Sequence, residues 1–359
     1  MKFSHLLVPF SLALVVAGAP AEKIPDKKDG FELVGYAKEN PLGETTGGKG
    51  GATTTVSDVA AFATAVAGNE PRVVYVKGDF TLPSRLRPGS NKSIIGVGSG
   101  ASITGSGITV QNADNVIIQN IKISFILDND CITLQNSTRV WVDHCEFTSD
   151  INHGPDYYVS LYIPTEKEER IVVLIYGAKD GQLDIVRASD WITVSWNYFH
   201  DHWKSSLVGN SDALRDVDTG HLHVTYHHNY WRNEGTRGPA GRFGHQHVFN
   251  NLYEDFLYQA MHSRSDNQML VEGNVFRGNS SEALSTYGLV VPADSPNTSP
   301  EGDYELDGFA NLGARNDWGP ATINITQVGN FTEVPYKYRL TPLKHVQEVV
   351  KAGAGLGKV

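Results

Sequence analysis

Cysteine is nearly absent from this chain: its 359 residues include two, Cys131 and Cys145. That count excludes a disulfide-stapled scaffold and leaves one bridge or two buried thiols open. Charge is sparse, at 19% of residues, and no basic block occurs; 30 Lys+Arg against 40 Asp+Glu give a net charge of −10. An acidic chain of this kind is a poor nucleic-acid binder. It also lacks the polybasic segment of a membrane-surface protein. Any polyanion it holds must meet local positive charge, from a few placed Lys or Arg or from a metal ion. Long amphipathic helical periodicity is missing too. Glycine is abundant instead, 36 of 359 residues against a usual ~7%. Together these features point to a turn-rich, all-β fold.

Met1–Ala19 has the form of a secretory signal, with Lys2, an apolar Leu6–Val16 and an Ala17-Gly18-Ala19 cleavage site. Its apolar run is too short to span a bilayer. N-x-S/T sequons at Asn91, Asn136, Asn279, Asn297, Asn324 and Asn330 agree with an exported, extracellular chain. No linker divides residues 20–359, which read as one domain.

From about residue 70 to 280 one texture recurs: a short β-branched strand, a polar corner, another short strand. Aligning the corners on Ile121, Cys145, Asn197, Asn229, Asn251 and Asn274 gives steps of 24, 52, 32, 22 and 23 residues. A period in the low twenties with occasional long insertions predicts a parallel β-helix of three short strands per coil. A β-sandwich would need hairpin turns every ~8–12 residues. The asparagines read as a hydrogen-bonded ladder at corners that tolerate left-handed backbone, not as catalysts. Residues 56–67 read as a short helix capping the open end of the stack, 285–320 as loop, and Lys344–Ala352 as a second helix.

Two groups of residues carry chemistry. Arg237 and Arg242 flank Pro239 in an R-x-P-x-x-R pattern, and planar guanidinium donors fit carboxylates. Asp128 and Asp130 alternate along one strand face, and Asp180 and Asp184 precede the next strand. Four carboxylates on neighbouring coils repel unless a counter-charge joins them, and a hard cation with oxygen ligands, Ca²⁺ most readily, supplies it. The thirteen histidines show no H-E-x-x-H spacing and few cysteine partners, so a zinc site is disfavoured.

Val140-Trp141-Val142-Asp143-His144, the stretch from Asp180-Gly181 to Trp196-Asn197, His202-Trp203-Lys204, Arg237–Arg242 and Gly47–Gly51 together resemble the secreted fungal pectate lyases. These belong to the pectate lyase/pectin lyase superfamily, polysaccharide lyase family 1. The resemblance runs from about residue 35 to 335, with several motifs in the family's order. It implies a right-handed single-stranded parallel β-helix with a Ca²⁺-dependent groove. It assigns Asp128, Asp130, Asp180 and Asp184 to Ca²⁺, and Lys204 and Arg242 to substrate carboxylates. Arg237 becomes the base, while Asp143 and His144 support the fold. The implied substrate is polygalacturonate, cleaved by β-elimination by a monomeric enzyme. Arginine holds its proton tightly, so Arg237 can serve as a base only where burial and nearby cations disfavour its charge.

One segment departs from that family. Val159–Lys179, 21 residues, separates tyrosines from the Asp180-Gly181 motif that follow each other almost directly in the family. Removing it shortens the step of 52 to 31, close to the next step of 32. The segment opens with Val-Ser and closes with Lys, codons compatible with splice junctions, and reads as a retained intron; a surface loop is the alternative. Pectin lyase, acting on methyl-esterified substrate without Ca²⁺, is the nearest rival function. A hydrolase would need close catalytic carboxylates instead, and a non-catalytic polysaccharide-binding solenoid is the third reading.

Overall fold

The computed structural model describes residues 31–359 apart from 100, 127–128, 153–158, 164–170, 176–179 and 296–297. The expected signal Met1–Ala19, the sequon at Asn297 and the expected ligand Asp128 lie outside the described residues.

Three parallel sheets of ten, eight and eight strands run the length of the stack. The first extends from Ala52–Val56 to Phe309–Leu312, the second from Asp79–Thr81 to Val275–Arg277, and the third from Ile108–Gln111 to Thr322–Asn324. A coil visits each sheet once, as Asp190–Ser195, Tyr198–Lys204 and Leu207–Val208 do. Its successor repeats the path with His223–His227, Tyr230–Thr236 and Ala240–Arg242. Strands pair in register, so equivalent side chains stack. Ile118, Val142, Val194, Tyr226, Val248 and Val271 form one fully buried column. Burying each such side chain contributes roughly 1.5–3 kcal/mol. Phe147, Phe199, Trp231, Tyr253 and Phe276 form a second column, with ring centroids 4.9, 4.0, 5.9 and 4.3 Å apart.

The corner between the first two sheets is held by an amide ladder. The Nδ2 groups of Asn197, Asn229, Asn251 and Asn274 each donate to the next Oδ1 at 3.0 Å, ending on Asn316. Each Oδ1 also accepts a backbone N–H, and each Nδ2 reaches a carbonyl of the preceding coil, Val142 for Asn197 and Val194 for Asn229. The left-handed residue is not the ladder asparagine, as expected, but the one before it: His144, Trp196, His228, Asn250 and Gly273 have φ of 49°, 55°, 54°, 52° and 60°. An L-residue there costs about 1–2 kcal/mol, which the amide hydrogen bonds offset.

The first helix is Val59–Val66, capped by Asp58, whose side chain accepts from the Ala61 N–H at 2.8 Å. Phe62, Ala65 and Val66 cover the first coils. Val56, expected in this helix, ends a strand instead. The second helix, Leu343–Gly353, packs Val346 and Val350 on Leu252 and Val275. The stretch 285–320 is not all loop. It holds an antiparallel hairpin of Leu289–Val290 and Asp303–Tyr304 and the strand Phe309–Leu312 that closes the first sheet. Its Pro, Ser and Gly content hid strands this short. Val159–Ile163 and Ile171–Ile175 form an antiparallel hairpin that pairs with no strand of the three sheets. Cys131 and Cys145 are two buried free thiols.

The segment between the last coil and the second helix lies over the first sheet. The Tyr336 hydroxyl meets Thr225 Oγ1 and His247 Nδ1, each at 2.7 Å, and His228 Nε2 meets Thr341 Oγ1 at 2.9 Å. His227 Nδ1 and His228 Nδ1 stand 3.0 Å apart in this buried layer. Burial pushes the His228 pKa down to about 3, and burial together with His228 lowers that of His227.

Two outcomes are expected. Asn229→Ala removes a ladder rung and strands buried polar groups on both neighbours, at about 2–4 kcal/mol, read as a lower midpoint in guanidinium denaturation. His228 is neutral when folded and titrates near pH 6.5 when unfolded. Between those pKa values the unfolded chain binds more protons. Stability therefore falls as pH drops from about 6.5 toward 3, and His228→Gln flattens that fall in thermal melts across the range.

Candidate active site

The third sheet and its edge with the second assemble the site from successive coils. Asp130 precedes Ile132–Gln135, and Asp180 precedes Leu183–Val186, which contains Asp184. These two strands pair Leu183 with Ile132, bringing the acids together. Asp130, Asp180 and Asp184 can each offer an oxygen within 4.8 Å of the others. Among the described residues this is the one group of three or more His, Cys, Asp or Glu so placed, and it contains no histidine. Asp130 and Asp184 are buried and Asp180 is exposed. The Gly181 N–H donates to Asp130 Oδ1 at 2.9 Å, Thr133 Oγ1 to Asp130 Oδ2 at 2.6 Å, and the Leu207 N–H to Asp184 Oδ1 at 3.0 Å.

Burial and the charge of Asp180 push the Asp130 pKa up to about 7. Burial and Asp130 raise that of Asp184 well above the carboxylate range. Three oxygen donors whose mutual repulsion opposes ionisation suit a hard divalent cation. Gly181 makes room for it: a Cβ there would stand 2.3 Å from Asp184 Oδ1 and 3.2 Å from Asp130 Oδ1.

The cationic half lies on the following coils. Lys204 ends the strand Tyr198–Lys204, opposite Thr236, the residue before Arg237. Arg237 is left-handed, at φ 65°, and the N–H groups of Arg237 and Gly238 bond to Gln259 and Ala260 carbonyls at 3.1 and 2.7 Å. Its Nε donates to Asp294 Oδ1 and its Nη2 to the Asp294 carbonyl, both at 2.7 Å. Arg242 gives Nε and Nη2 to the two oxygens of Glu305, at 2.8 and 2.5 Å, and Nη1 to the Gly209 carbonyl at 2.7 Å. Arg264 pairs in register with Arg242 and reaches Asp294 at 3.1 Å and Glu305 at 3.3 Å.

Comparisons with known proteins bear on the family and the fold. The pectate lyase family model covers residues 27–358. The chain belongs to the pectate lyase family. It is 40% identical to pectate lyase A of Aspergillus niger over 324 residues, 89% of this chain and 86% of that one. It is 38% identical to a probable pectate lyase A of Neosartorya fischeri, over 99% and 98% of the two chains. Among solved structures, a pectate lyase of Bacillus sp. N165 in complex with trigalacturonate superposes with a TM-score of 0.70 at 29% identity, covering 91% of this chain and 99% of that one. The fold is thus the pectate lyase parallel β-helix.

Within this lyase fold the expected site residues that are described converge on one region, while Asp143 and His144 lie apart on the first sheet. There Ser195 and Gln119 donate to Asp143, and Asp143 meets His144 Nδ1 at 2.6 Å. Four residues escaped the sequence reading. Arg85 donates to the Asp130 carbonyl at 2.7 Å from beneath the acidic group. Arg264 follows Arg242 by 22 residues, one coil, and that spacing was the available signal. Asp294 and Glu305 come from the distant 285–308 segment, and no spacing announces them.

The electrostatics of Arg237 also differ from the condition set for a base. Burial opposes its charge, but Asp294, then Asp184 and Asp180, outweigh it and hold its pKa above the usual guanidinium value. Arg264 carries the weakened charge instead, its pKa pushed down to about 10 by burial and by Arg242.

Gly181→Ala should push the Asp184 and Asp130 carboxylates out of place while leaving all three acids in the chain. The expected result is a loss of roughly tenfold or more in divalent-ion affinity by calorimetry, with an unchanged circular dichroism spectrum. Unchanged affinity would place the ion elsewhere.

Proposed function

We propose that the protein is a secreted, Ca²⁺-dependent lyase that cleaves α-1,4-linked polygalacturonate by β-elimination, in pectin degradation. The observation that carries this reading is the adjacency, on successive coils, of three clustered carboxylates and a row of buried guanidiniums. Asp130, Asp180 and Asp184, with Asp128 from outside the described residues, would hold the ion. When bound, Ca²⁺ supplies positive charge that neutralises a uronate carboxylate, acidifies the C5 proton and cancels the pull of Asp180 and Asp184 on Arg237.

This chain's own groups do the rest. Lys204 and Arg242 would orient substrate carboxylates. Arg237, fixed through Nε and Nη2 by Asp294, keeps Nη1 outside those two bonds. Nη1, having first given a proton to solvent, would accept the C5 proton as the C4–O bond breaks and the C4=C5 double bond forms. The leaving oxygen takes a proton from solvent, and no water is consumed.

Within Val159–Lys179, the described strands Val159–Ile163 and Ile171–Ile175 pair only with each other. This supports reading it as a retained intron rather than as part of the site.

The test is ultraviolet absorbance of the 4,5-unsaturated product on polygalacturonate, with Ca²⁺ and with a chelator, for chains with and without Val159–Lys179. Product that vanishes with the chelator is expected, most strongly from the shortened chain. A mature transcript carrying these codons would sink the intron reading. Arg237→Lys should lower kcat by about 100-fold or more with little change in KM; near-normal turnover would remove Arg237 from the base role.

A further inference from the structure

The two ends of the stack are closed differently. At the first, Phe62, Ala65 and Val66 of the helix Val59–Val66 cover the opening coils. At the last, among the described residues, Phe309–Leu312 and Thr322–Asn324 each pair with one strand only. Val275–Arg277 pairs with Leu252–Phe256 and meets Asp317 by a single bridge. These three are the terminal strands of the three sheets. An open strand edge invites pairing with another chain, and a solenoid needs a polar cover at its ends to stay soluble. The irregular segment 313–330 supplies part of that cover. Its Trp318, Ala321 and Ile325 pack on the core partly buried, while Leu312, Ile323 and Val328 are left 46%, 40% and 72% exposed.

Three sequons fall at this same end, one beside the last strand of each sheet. Asn279-Ser280-Ser281 begins two residues beyond Val275–Arg277, and Asn324-Ile325-Thr326 begins at the end of Thr322–Asn324. Asn330-Phe331-Thr332 lies against Phe309–Leu312: the carbonyls of Gln327 and Phe331 accept from the Ala310 N–H at 3.2 Å and from Asn311 Nδ2 at 3.0 Å. All three asparagines are exposed, and none of their side-chain amides makes a hydrogen bond among the described residues. Exposed Ile323 directly precedes Asn324, and exposed Val328 precedes Asn330 by two. The sequons of the earlier coils are of another kind. Asn91 Nδ2 donates to the Asn69 carbonyl at 3.0 Å while its Oδ1 accepts from Asn115 Nδ2 at 2.9 Å. Asn136 Nδ2 donates to Asn112 Oδ1 at 2.8 Å.

We propose that Asn279, Asn324 and Asn330 carry N-linked glycans that together close the open end of the stack. The donor is an oligosaccharide joined to a lipid pyrophosphate, met in the secretory pathway. The Nδ2–C1 bond to the first sugar forms as the C1–O bond to the pyrophosphate breaks. Nδ2 loses one proton and the lipid pyrophosphate leaves. A glycan is bulky and polar, so three of them shield the exposed Ile323 and Val328 and keep the terminal edges from a second chain. The cap stands apart from the chemistry, because four strands separate Leu183–Val186 from Thr322–Asn324 in the third sheet. This rests on the secretion reading above and adds to it a covalent site on each sheet.

The experiment expresses the full chain in a eukaryotic secretory host, with its own Met1–Ala19 and with the host's leader in its place. Release by peptide-N-glycosidase in heavy-oxygen water turns each occupied asparagine into labelled aspartate, read by peptide mass mapping. Label at all three positions is expected, and its absence from any of them in exported protein overturns the cap. A chain that stays inside the cell with Met1–Ala19 uncleaved contradicts the secretion reading alone, and the version with the host's leader then decides the glycans. Two further samples test what the glycans do: the wild-type chain deglycosylated after folding, and the triple variant Asn279→Gln, Asn324→Gln, Asn330→Gln. Both should associate, with a polypeptide mass by light scattering about twice that of the glycosylated chain or more. Their kcat/KM on polygalacturonate should stay within about twofold. Adding Ile323→Lys and Val328→Lys to the triple variant should restore the lower mass, since charge guards an edge as a glycan does. A deglycosylated wild-type chain that keeps the mass of the glycosylated polypeptide overturns the capping role, whatever the variants do.

Discussion

Everything in this molecule depends on coils stacking in register. Parallel pairing of Asp143, Ser195 and His227, or of Lys204 with Thr236, fixes where each side chain falls to within one residue. The amide ladder from Asn197 to Asn316 enforces that register because each rung bonds both the rung beyond and the backbone behind. A slip by one residue would turn the buried columns outward and break every rung at once. Site residues with no sequence proximity, such as Asp130 and Asp184, meet because a coil is a fixed unit of length.

On that frame the site separates charge. At one end carboxylates gather, and burial together with neighbouring carboxylate charge raises the pKa values of Asp130 and Asp184. At the other end guanidiniums gather, but the 285–308 segment brings carboxylates to them. The two ends therefore differ in charge. One gathers oxygen donors; the other presents guanidiniums paired with carboxylates.

The fold was legible because its determinants are local and repeated. A period of 22 to 24 residues, β-branched strands and recurring asparagines specify a solenoid almost without tertiary information. The left-handed conformation was misplaced by one residue because a ladder position and a corner position are adjacent and both accept Asn, as Asn250 and Asn251 do. Short strands in the 285–320 stretch were lost because four residues among prolines and glycines carry no readable alternation. The candidate ligands and the paired arginines were legible because their spacing within single strands and turns is itself the signal.

The sequence alone determined the repeat, the family, and which residues form the candidate site, since each follows from a motif shorter than one coil. Tertiary structure decided the state of those residues. Arg237 is held charged, and Arg242 is paired with Glu305, because Asp294 and Glu305 arrive from 57 and 63 residues away. Sequence records that such carboxylates exist. Only folding sets their distance to a guanidinium, and the energy of an ion pair depends on that distance and on burial.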